Sequence, residues 1–198
     1  MKTLALTQRV TVAPPHSEKR DSLAWDWYPF LKALACPWLV LPNDPETALH
    51  MARRFDIGGL ILTGGEDLGL HPERDETEAA LLAWCRQNSR PAVGICRGFQ
   101  FIHNWLGGVL EPVDPDRHRA RRHWVEFTDG GRREVNSYHN FAPAGEAGPL
   151  TALARYPEDG VLEAAAAPGL LGLSWHPERE SRPAAADLDL FKFFLLES

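Results

Sequence analysis

The stretch from Pro91 to Gln100 constrains the fold of this chain most. Its sequence, Pro-Ala-Val-Gly-Ile-Cys-Arg-Gly-Phe-Gln, is a short apolar run followed by a cysteine that has a glycine two residues away on each side. A strand that turns sharply into a helix needs such glycines, because a Cβ atom would hold the strand and the helix apart. The spacing therefore predicts a buried strand over 92–95, a strained turn at Cys96 and a helix from Gly98.

Cys96 is the candidate nucleophile of this turn. At the start of a helix, unpaired backbone N–H groups and the helix dipole favour the thiolate over the thiol. The alternative is a structural cysteine between two packing glycines, since unpaired cysteine is among the most buried residue types. The other cysteines, Cys36 and Cys85, share no C-x-x-C spacing with it, which predicts a reducing compartment and neither a disulfide framework nor a zinc site.

Short apolar runs alternate with helical patterns along most of the chain. The predicted strands cover 4–7, 38–41, 59–63, 92–95 and 171–175. The predicted helices cover 23–35, 46–54, 74–87, 98–106 and 188–196. Continuous apolar strands separated by helices indicate an α/β fold with a parallel sheet that is covered on both faces.

Four further segments depart from that alternation. Between 109 and 136 the pattern becomes short and alternating, which predicts antiparallel strands at one edge of the sheet. The segment 141–150 is rich in Ala, Pro and Gly and is expected to be a loop. The alanine-rich segments 163–167 and 184–186 lie beside prolines and are also expected in loops.

Composition limits the classes of partner. A net charge of −6 and a pI near 5.7 argue against a general nucleic-acid or membrane-surface binder, which needs a basic field. The first apolar run is too short for a signal peptide, and no segment approaches the roughly 20 apolar residues of a membrane span. We therefore expect a cytoplasmic protein without nucleic-acid or membrane partners, folded as one domain over residues 1–198.

His176 is the best candidate for the base among eight histidines. It follows the apolar run 171–175, at the carboxyl end of a strand, where open α/β sheets place their sites. Glu178 lies two residues later, so its carboxylate can orient the imidazole while the imidazole takes the thiol proton. The alternative is a surface loop in which both side chains meet only solvent.

Four motifs, taken in order, resemble those of class I glutamine amidotransferases and the related γ-glutamyl hydrolases of the peptidase C26 type. They are Ile61–Leu68 (ILTGGEDL), Gly94–Gln100 (GICRGFQ), Val135–Asn140 (VNSYHN) and Ser174–Glu178 (SWHPE). The resemblance implies a flavodoxin-like, three-layer α/β architecture with a mostly parallel sheet and a small antiparallel edge.

The same resemblance implies roles for individual residues. Cys96 would attack the γ-carbonyl of a glutamine-like group and form a γ-glutamyl thioester that water hydrolyses, with His176 as base and then acid and Glu178 holding His176. The oxyanion hole would be formed by backbone N–H groups of Gly64, Gly65 and Arg97. The substrate-binding residues would be Gln100, Asn136, Ser137, Tyr138 and His139.

No motif indicates a cofactor or a metal. The Gly64-Gly65 pair lacks the Gly-Lys-Ser/Thr that follows in a phosphate-binding P-loop. We therefore expect an enzyme that uses neither a cofactor nor a metal ion and whose partner is a small γ-glutamyl substrate.

The departures from the resemblance bear on the substrate. Arg97 stands where many synthase-bound glutaminases carry a small or apolar residue, and strand 136–139 looks more like the hydrolase branch. The segment 23–28 resembles that of short bacterial enzymes that remove a γ-glutamyl group from a nucleotide-linked amidate. Together these resemblances favour a hydrolase that releases glutamate from a substrate such as γ-glutamyl-CDP-amidate. Three alternatives stay open: a glutaminase subunit that supplies ammonia to a separate synthase, a cysteine peptidase, and a non-enzymatic binding protein with this fold.

Two charged segments have no assigned role. Four arginines lie within 117–122, which suits either a clamp for phosphate or a solvated hairpin. The carboxylates of 74–78 either stabilise a helix N-terminus or select a substrate ammonium group.

Overall fold

A computed structural model describes residues 2–197 and contains thirteen strands. The strands are β1 (Thr3–Leu6), β2 (Arg9–Ala13), β3 (Glu18–Ser22), β4 (Trp38–Val40), β5 (Ile57–Leu62), β6 (Ala92–Ile95), β7 (Leu110–Pro112), β8 (Arg119–Phe127), β9 (Arg132–Tyr138), β10 (Phe141–Pro143), β11 (Thr151–Arg155), β12 (Leu162–Ala167) and β13 (Leu170–Leu173). The helices are α1 (Trp27–Leu34), α2 (Pro45–Arg54), α3 (Pro72–Gln87), α4 (Arg97–Trp105), α5 (Pro115–His118) and α6 (Ala185–Lys192). A 3₁₀ turn covers Pro177–Arg179, and a π-helical segment, Phe193–Glu197, follows α6.

Nine strands form one sheet in the order β4-β1-β5-β6-β13-β12-β11-β8-β9. The first five strands are parallel, and each later strand pairs antiparallel with its neighbour. The predicted antiparallel edge at 109–136 is confirmed by β8 and β9. Because β6 and β13 are parallel neighbours, Cys96 and His176 follow the same end of the sheet.

Helices cover both faces of the parallel part, as the alternation predicted. On one face, side chains of β1, β5 and β6 pack against α1 and α6. On the other face, the alternate side chains of the same strands pack against α2, α3 and α4. Side chains that alternate between two apolar layers explain why these strands are apolar at every position. The three-layer α/β class is therefore confirmed.

The alanine-rich segment 163–167 does not form the expected loop. It lies in β12, between β11 and β13 in the interior of the sheet. Ala164 faces the core of α1, and Ala165 faces the core of α4. The prolines beside this segment therefore mark the end of a strand. The segment itself is a strand that is buried on both faces.

A hairpin that the sequence did not predict covers residues 9–22. Strands β2 and β3 pair with each other and belong to a separate two-stranded sheet. Helix α1 accordingly begins at Trp27 and not at Leu23. The strand β3 is mostly exposed and its sequence, Glu-Lys-Arg-Asp-Ser, lacks apolar residues, so hydrophobic periodicity gives no signal for it.

Two smaller differences concern segment ends. Part of the expected loop at 141–150 forms β10, which pairs with β7. The last predicted helix starts earlier, at Ala185, and ends in the π-helical segment. Among residues 2–197, none of the helices combines the length and apolar character that crossing a bilayer requires.

Candidate active site

Cys96 lies in the turn between β6 and α4. Its backbone has φ 51° and ψ −106°, and the helix begins at the next residue. A residue with a Cβ atom in such a conformation carries strain of about 1–3 kcal/mol, which persists only where the surroundings enforce it. Here the Cys96 amide donates a 2.7 Å hydrogen bond to the carbonyl of Leu173, and its carbonyl accepts from the amide of Gln100 at 3.0 Å.

The two glycines of the turn are required by close packing. A Cβ atom on Gly98 would lie 2.1 Å from the carbonyl oxygen of Leu62, and one on Gly94 would lie 2.5 Å from the carbonyl group of Gly98. These contacts involve backbone atoms, which cannot rotate away as a side chain can. The strand-to-helix turn predicted from the glycine spacing is present for the reason that the spacing implied.

His176 and Glu178 follow β13 and lie next to each other. The Nδ1 atom of His176 is 2.6 Å from the Glu178 carboxylate, and both side chains are buried. Burial disfavours the imidazolium, but the interactions of His176 with Cys96 and with the Glu178 carboxylate outweigh it and raise the pKa of His176 to about 9. Glu178 therefore fixes the imidazole orientation, and Cys96 is the other group that stabilises its charged form.

Asn136 holds the backbone of His176. Its Oδ1 atom accepts from the His176 amide at 2.9 Å, and its Nδ2 atom donates to the His176 carbonyl at 2.8 Å. The same Nδ2 atom also donates to Glu180 at 2.8 Å, and Glu180 is paired with Arg122. In this structure Asn136, predicted to bind substrate, is buried and hydrogen-bonded to the protein.

The glycine pair after β5 lies beside the imidazole. A Cβ atom on Gly64 would be 2.6 Å from Cε1 of His176, so only glycine allows this approach. The guanidinium of Arg74 donates to the carbonyl of Thr63 at 2.7 Å and reaches that of Gly64 at 3.4 Å. These bonds fix the loop whose N–H groups, at Gly64 and Gly65, stay the predicted oxyanion donors together with that of Arg97.

The side chain of Arg97 points into a buried ionic network and pairs with Glu78 and Asp75. Glu78 is fully buried and also accepts from Arg74 at 3.0 Å. The network joins α3, α4 and the glycine loop. Two of the three carboxylates of 74–78, those of Asp75 and Glu78, are therefore engaged by arginines, and Asp75 additionally accepts from the amide of Gly69 at 2.8 Å.

The remaining predicted substrate residues have different surroundings in the structure. Tyr138 is half-exposed and its ring lies 5.7 Å from that of His176, edge to face. Gln100 donates to the carbonyl of Phe141 at 2.7 Å. The Ser137 hydroxyl is fully buried and donates to the carbonyl of His118 at 2.7 Å. Only Tyr138 among these presents its side chain beside the imidazole.

His139, the last of the predicted substrate residues, is buried and directly follows β9. Its Nδ1 atom is 3.1 Å from the carbonyl of Phe141, and its Nε2 atom is 3.4 Å from Glu163. The roles of Gln100, Asn136, Ser137, Tyr138 and His139 toward substrate stay predictions.

The arginines of 117–122 are already paired at two positions. Arg122 lies 2.9 Å from Glu180 and 3.2 Å from Glu134, and Arg117 lies 3.4 Å from Asp114. These ion pairs favour the solvated hairpin over a phosphate clamp.

The unpredicted hairpin adds residues that the sequence analysis missed. A narrow cleft beside the imidazole is lined by Arg9 and Ser22 of the hairpin, by Trp27, and by Arg179. Within the described part of the chain, Arg9 forms no ion pair, and its Nε atom is buried without a hydrogen-bond partner. No motif signalled Arg9, because its position depends on how the hairpin folds over the glycine loop.

A larger cavity lies elsewhere. Its volume is about 510 Å³ and its walls include Cys85, Arg90 and Gly169. Gly169 accepts a hydrogen bond from Ala92 at the start of β6, so this cavity is at the opposite end of the sheet from Cys96. Burial raises the pKa of Cys85 to about 12, which leaves that thiol inert as a nucleophile.

A solved structure shares this fold. The crystal structure of a glutamine amidotransferase from Thermotoga maritima superposes on 99% of this chain and 84% of its own, with a TM-score of 0.71 and 15% sequence identity. The architecture is thus that of the class I glutamine amidotransferases.

The sequence comparisons give the family. The sequence model of the family described as Peptidase C26 matches residues 5–178. A γ-glutamyl-CDP-amidate hydrolase from Campylobacter jejuni is 30% identical, with 90% of each chain covered. A γ-glutamyl-γ-aminobutyrate hydrolase from Escherichia coli O157:H7 is 29% identical over 93% of this chain and 78% of its own. The chain belongs to the peptidase C26 family, and its relatives support a γ-glutamyl amide hydrolase or glutamine amidotransferase-like activity.

Proposed function

We propose that this protein is a cysteine-dependent hydrolase that cleaves the C–N bond of a γ-glutamyl amide and releases glutamate. The observation that carries the proposal is the buried His176, which interacts with Glu178 through Nδ1 and with the side chain of Cys96. A nucleophile, a base and an orienting carboxylate in this order form the arrangement that activates a cysteine.

In the first half of the reaction, the Cys96 sulfur attacks the γ-carbonyl carbon. A C–S bond forms, and the carbonyl electron pair moves to oxygen, where the backbone N–H groups of Gly64, Gly65 and Arg97 stabilise it. Each such donor is typically worth about 3–4 kcal/mol of barrier. The tetrahedral species collapses, the C–N bond breaks, and the imidazolium of His176 gives its proton to the leaving nitrogen.

In the second half, water hydrolyses the γ-glutamyl thioester. Neutral His176 takes a proton from the water as its oxygen attacks the same carbon, and the C–S bond breaks. Glutamate leaves, and the thiolate and imidazolium are restored. Glu178 keeps the imidazole in the tautomer that both halves need.

The charges at the cleft support an anionic leaving group. Arg9 and Arg179 both line the cleft, and Arg9 has no carboxylate partner among the described residues. Arg179 lies above the ring of Tyr138 at 4.6 Å and 4.0 Å from Glu178. An anionic group is the natural partner of such a pair, since guanidinium groups bind phosphate and carboxylate with paired hydrogen bonds. We therefore favour a nucleotide-linked amidate, such as γ-glutamyl-CDP-amidate, as substrate.

Glutamate release from a panel of amides tests the activity and the leaving group together. The panel consists of γ-glutamyl-CDP-amidate, γ-glutamyl-γ-aminobutyrate, γ-glutamyl-putrescine and glutamine. The wild type is compared with Cys96→Ala and with Cys36→Ala, which removes a free, partly buried thiol away from the turn. We expect the anionic amides to be cleaved fastest, by the wild type and Cys36→Ala only, and a γ-glutamyl adduct on Cys96 in the intact mass spectrum.

Other outcomes separate the alternatives. Preferred cleavage of glutamine would favour a glutaminase subunit, whose ammonia a separate synthase consumes. Absence of cleavage of every compound by folded protein with an intact thiol would contradict the stand-alone hydrolase and favour a binding protein.

A further inference from the structure

A second cluster of chemically active side chains lies outside the catalytic site. It consists of His118 at the end of α5, His123 on β8, His139 just after β9 and Glu163 on β12. All four are buried, and His118 and Glu163 are fully buried. A carboxylate that is completely removed from water requires a positive partner. The mechanism proposed above uses none of these side chains.

The three imidazoles converge on one oxygen atom of Glu163. Oε1 of Glu163 is 3.3 Å from Nδ1 of His118, 3.3 Å from Nε2 of His123 and 3.4 Å from Nε2 of His139. Across residues 2–197, these four atoms have no partner in hydrogen-bonding geometry. Two ligands at about 2.1 Å from a tetrahedral ion lie about 3.4 Å apart. These three separations, each measured from Oε1, are close to the edge length of a metal-centred tetrahedron.

The outer nitrogen of His118 has its own acceptor. Nε2 lies 2.9 Å from the carboxylate of Asp159. The Nε2–H group donates to that carboxylate, which leaves the lone pair of Nδ1 facing Glu163. A carboxylate that accepts from the outer nitrogen of a histidine is the usual support of a metal-bound imidazole.

Hydrogen bonds to the outer nitrogen also set the tautomer of the other two histidines. Nδ1 of His139 lies 3.1 Å from the carbonyl of Phe141, and Nδ1 of His123 lies 3.4 Å from the carbonyl of Arg117. A carbonyl oxygen only accepts, so both Nδ1 atoms carry the hydrogen and both Nε2 atoms can present a lone pair. Three lone pairs directed at one carboxylate repel it unless the imidazoles are protonated or a metal cation lies between them.

We propose that His118, His123, His139 and Glu163 bind one Zn²⁺ ion as a closed, four-coordinate structural site. The ligand atoms are Nδ1 of His118, Nε2 of His123 and His139, and Oε1 of Glu163. Those of His118, His139 and Glu163 lie within 4.8 Å of one another, whereas His123 lies outside this group and has to move closer when the ion binds. Three imidazoles and one carboxylate suit zinc better than magnesium or calcium, which prefer oxygen ligands alone. This departs from our sequence-based expectation of no metal, since the ligands show no motif spacing.

The site would connect segments that position the catalytic histidine. It joins α5, the β8–β9 hairpin and β12, and β9 carries Asn136, which holds the backbone of His176. The fully buried hydroxyl of Ser137 donates to the carbonyl of His118, so the ligand backbone is tied to the same strand. Metal loss is therefore expected to loosen the β8–β9 hairpin first.

Metal content and metal-dependent stability test the proposal without relying on activity. Protein expressed in zinc-supplemented medium is analysed by elemental mass spectrometry, stripped with a strong chelator, and titrated with Zn²⁺ and with Co²⁺ as a spectroscopic probe. We expect about one zinc per chain, a fall in Tm of at least about 5 °C on stripping, and recovery on Zn²⁺ addition. Co²⁺ should give the intense visible bands of tetrahedral coordination.

Variants assign the ligands. Glu163→Gln and His139→Ala should lose the zinc, whereas His50→Ala, which changes an exposed histidine on α2, should keep it. If a cluster variant fails to fold, the proposal is tested by the Tm and the Co²⁺ spectrum of the chelator-stripped wild-type protein. Wild-type protein with less than about 0.1 zinc per chain, no Tm change with Zn²⁺ and no tetrahedral Co²⁺ bands would overturn the proposal in favour of a protonated histidine cluster. The panel of γ-glutamyl amides is independent of this result, so either proposal can fail alone.

Discussion

The side-chain amide of Asn136 bridges the amide and carbonyl groups of His176, with hydrogen bonds of 2.9 and 2.8 Å. Both groups of one peptide segment are thus held by one side chain from β9. His176 leaves β13 at its carboxyl end, where no ladder partner fixes it. Asn136 therefore acts as a positioning residue for the imidazole.

Asn136→Ala is expected to lower kcat by about 100-fold with a smaller effect on KM, since small displacements of a catalytic group have effects of this size. Steady-state kinetics on the best amide of the panel check this. Asn104→Ala, at an exposed position of α4, is the matched control. A change confined to KM would instead indicate that Asn136 contacts substrate, as the sequence resemblance implied.

The activity is expected to fall as the pH rises above about 9, because His176 then loses the proton that the leaving nitrogen must receive. Glu178→Gln removes the negative charge of one of the two groups that raise this pKa, so the alkaline limb should move to lower pH, and kcat should fall by at least about 100-fold. Profiles of kcat/KM and of iodoacetamide alkylation against pH measure the limb. An unchanged limb in Glu178→Gln would contradict the assigned role of that carboxylate.

The backbone of Cys96 stores strain that glycine would release. At φ 51° and ψ −106°, alanine keeps the unfavourable conformation, whereas glycine adopts it freely. Cys96→Gly should therefore be more stable than Cys96→Ala by about 1–3 kcal/mol. Both variants lack the thiol, so unfolding in denaturant compares them without interference from activity. Equal stabilities would show that the turn is relaxed.

Glu78 is expected to be essential for stability. Glu78→Gln leaves Arg74 and Arg97 buried with less compensating charge, and removal of one partner of a buried pair typically costs about 3–5 kcal/mol. Chemical denaturation measures the loss. Glu76→Gln, on the exposed side of the same helix, should change the free energy of unfolding by less than about 0.5 kcal/mol. A similarly small effect at Glu78 would show that the arginines find other partners.

Arg9 is expected to govern the charge preference of the substrate. Arg9→Ala should raise KM about tenfold for γ-glutamyl amides with an anionic leaving group and leave the putrescine amide nearly unaffected. Arg20→Ala, an exposed residue of the same hairpin that pairs with Glu18, is the control. Equal effects on anionic and cationic amides would assign Arg9 to the glutamyl end or to the hairpin structure.

The sequence alone was enough to predict those features that depend on residues close together in the chain. The glycines around Cys96 require a strand-to-helix turn, and apolar runs that alternate with helical patterns require a covered parallel sheet. The sequence predicted that His176 and Glu178 interact because both follow the same strand and only one residue separates them. Such a pair stays close together in any fold of this class. The buried β12 was missed, since an alanine-rich run has weak strand propensity and only its neighbours, β11 and β13, make it a strand.

Tertiary structure alone decided which distant residues meet. Arg9 reaches the cleft because a polar hairpin folds over the glycine loop, and Arg97 turns into α3 because Glu78 is buried there. The three histidines and Glu163 approach one point because β8, β9 and β12 lie in the same antiparallel part of the sheet. Hydrophobic periodicity and motif spacing report on interactions between residues that are close in the sequence. The contacts above depend instead on strand order and register, which arise from packing of the complete fold.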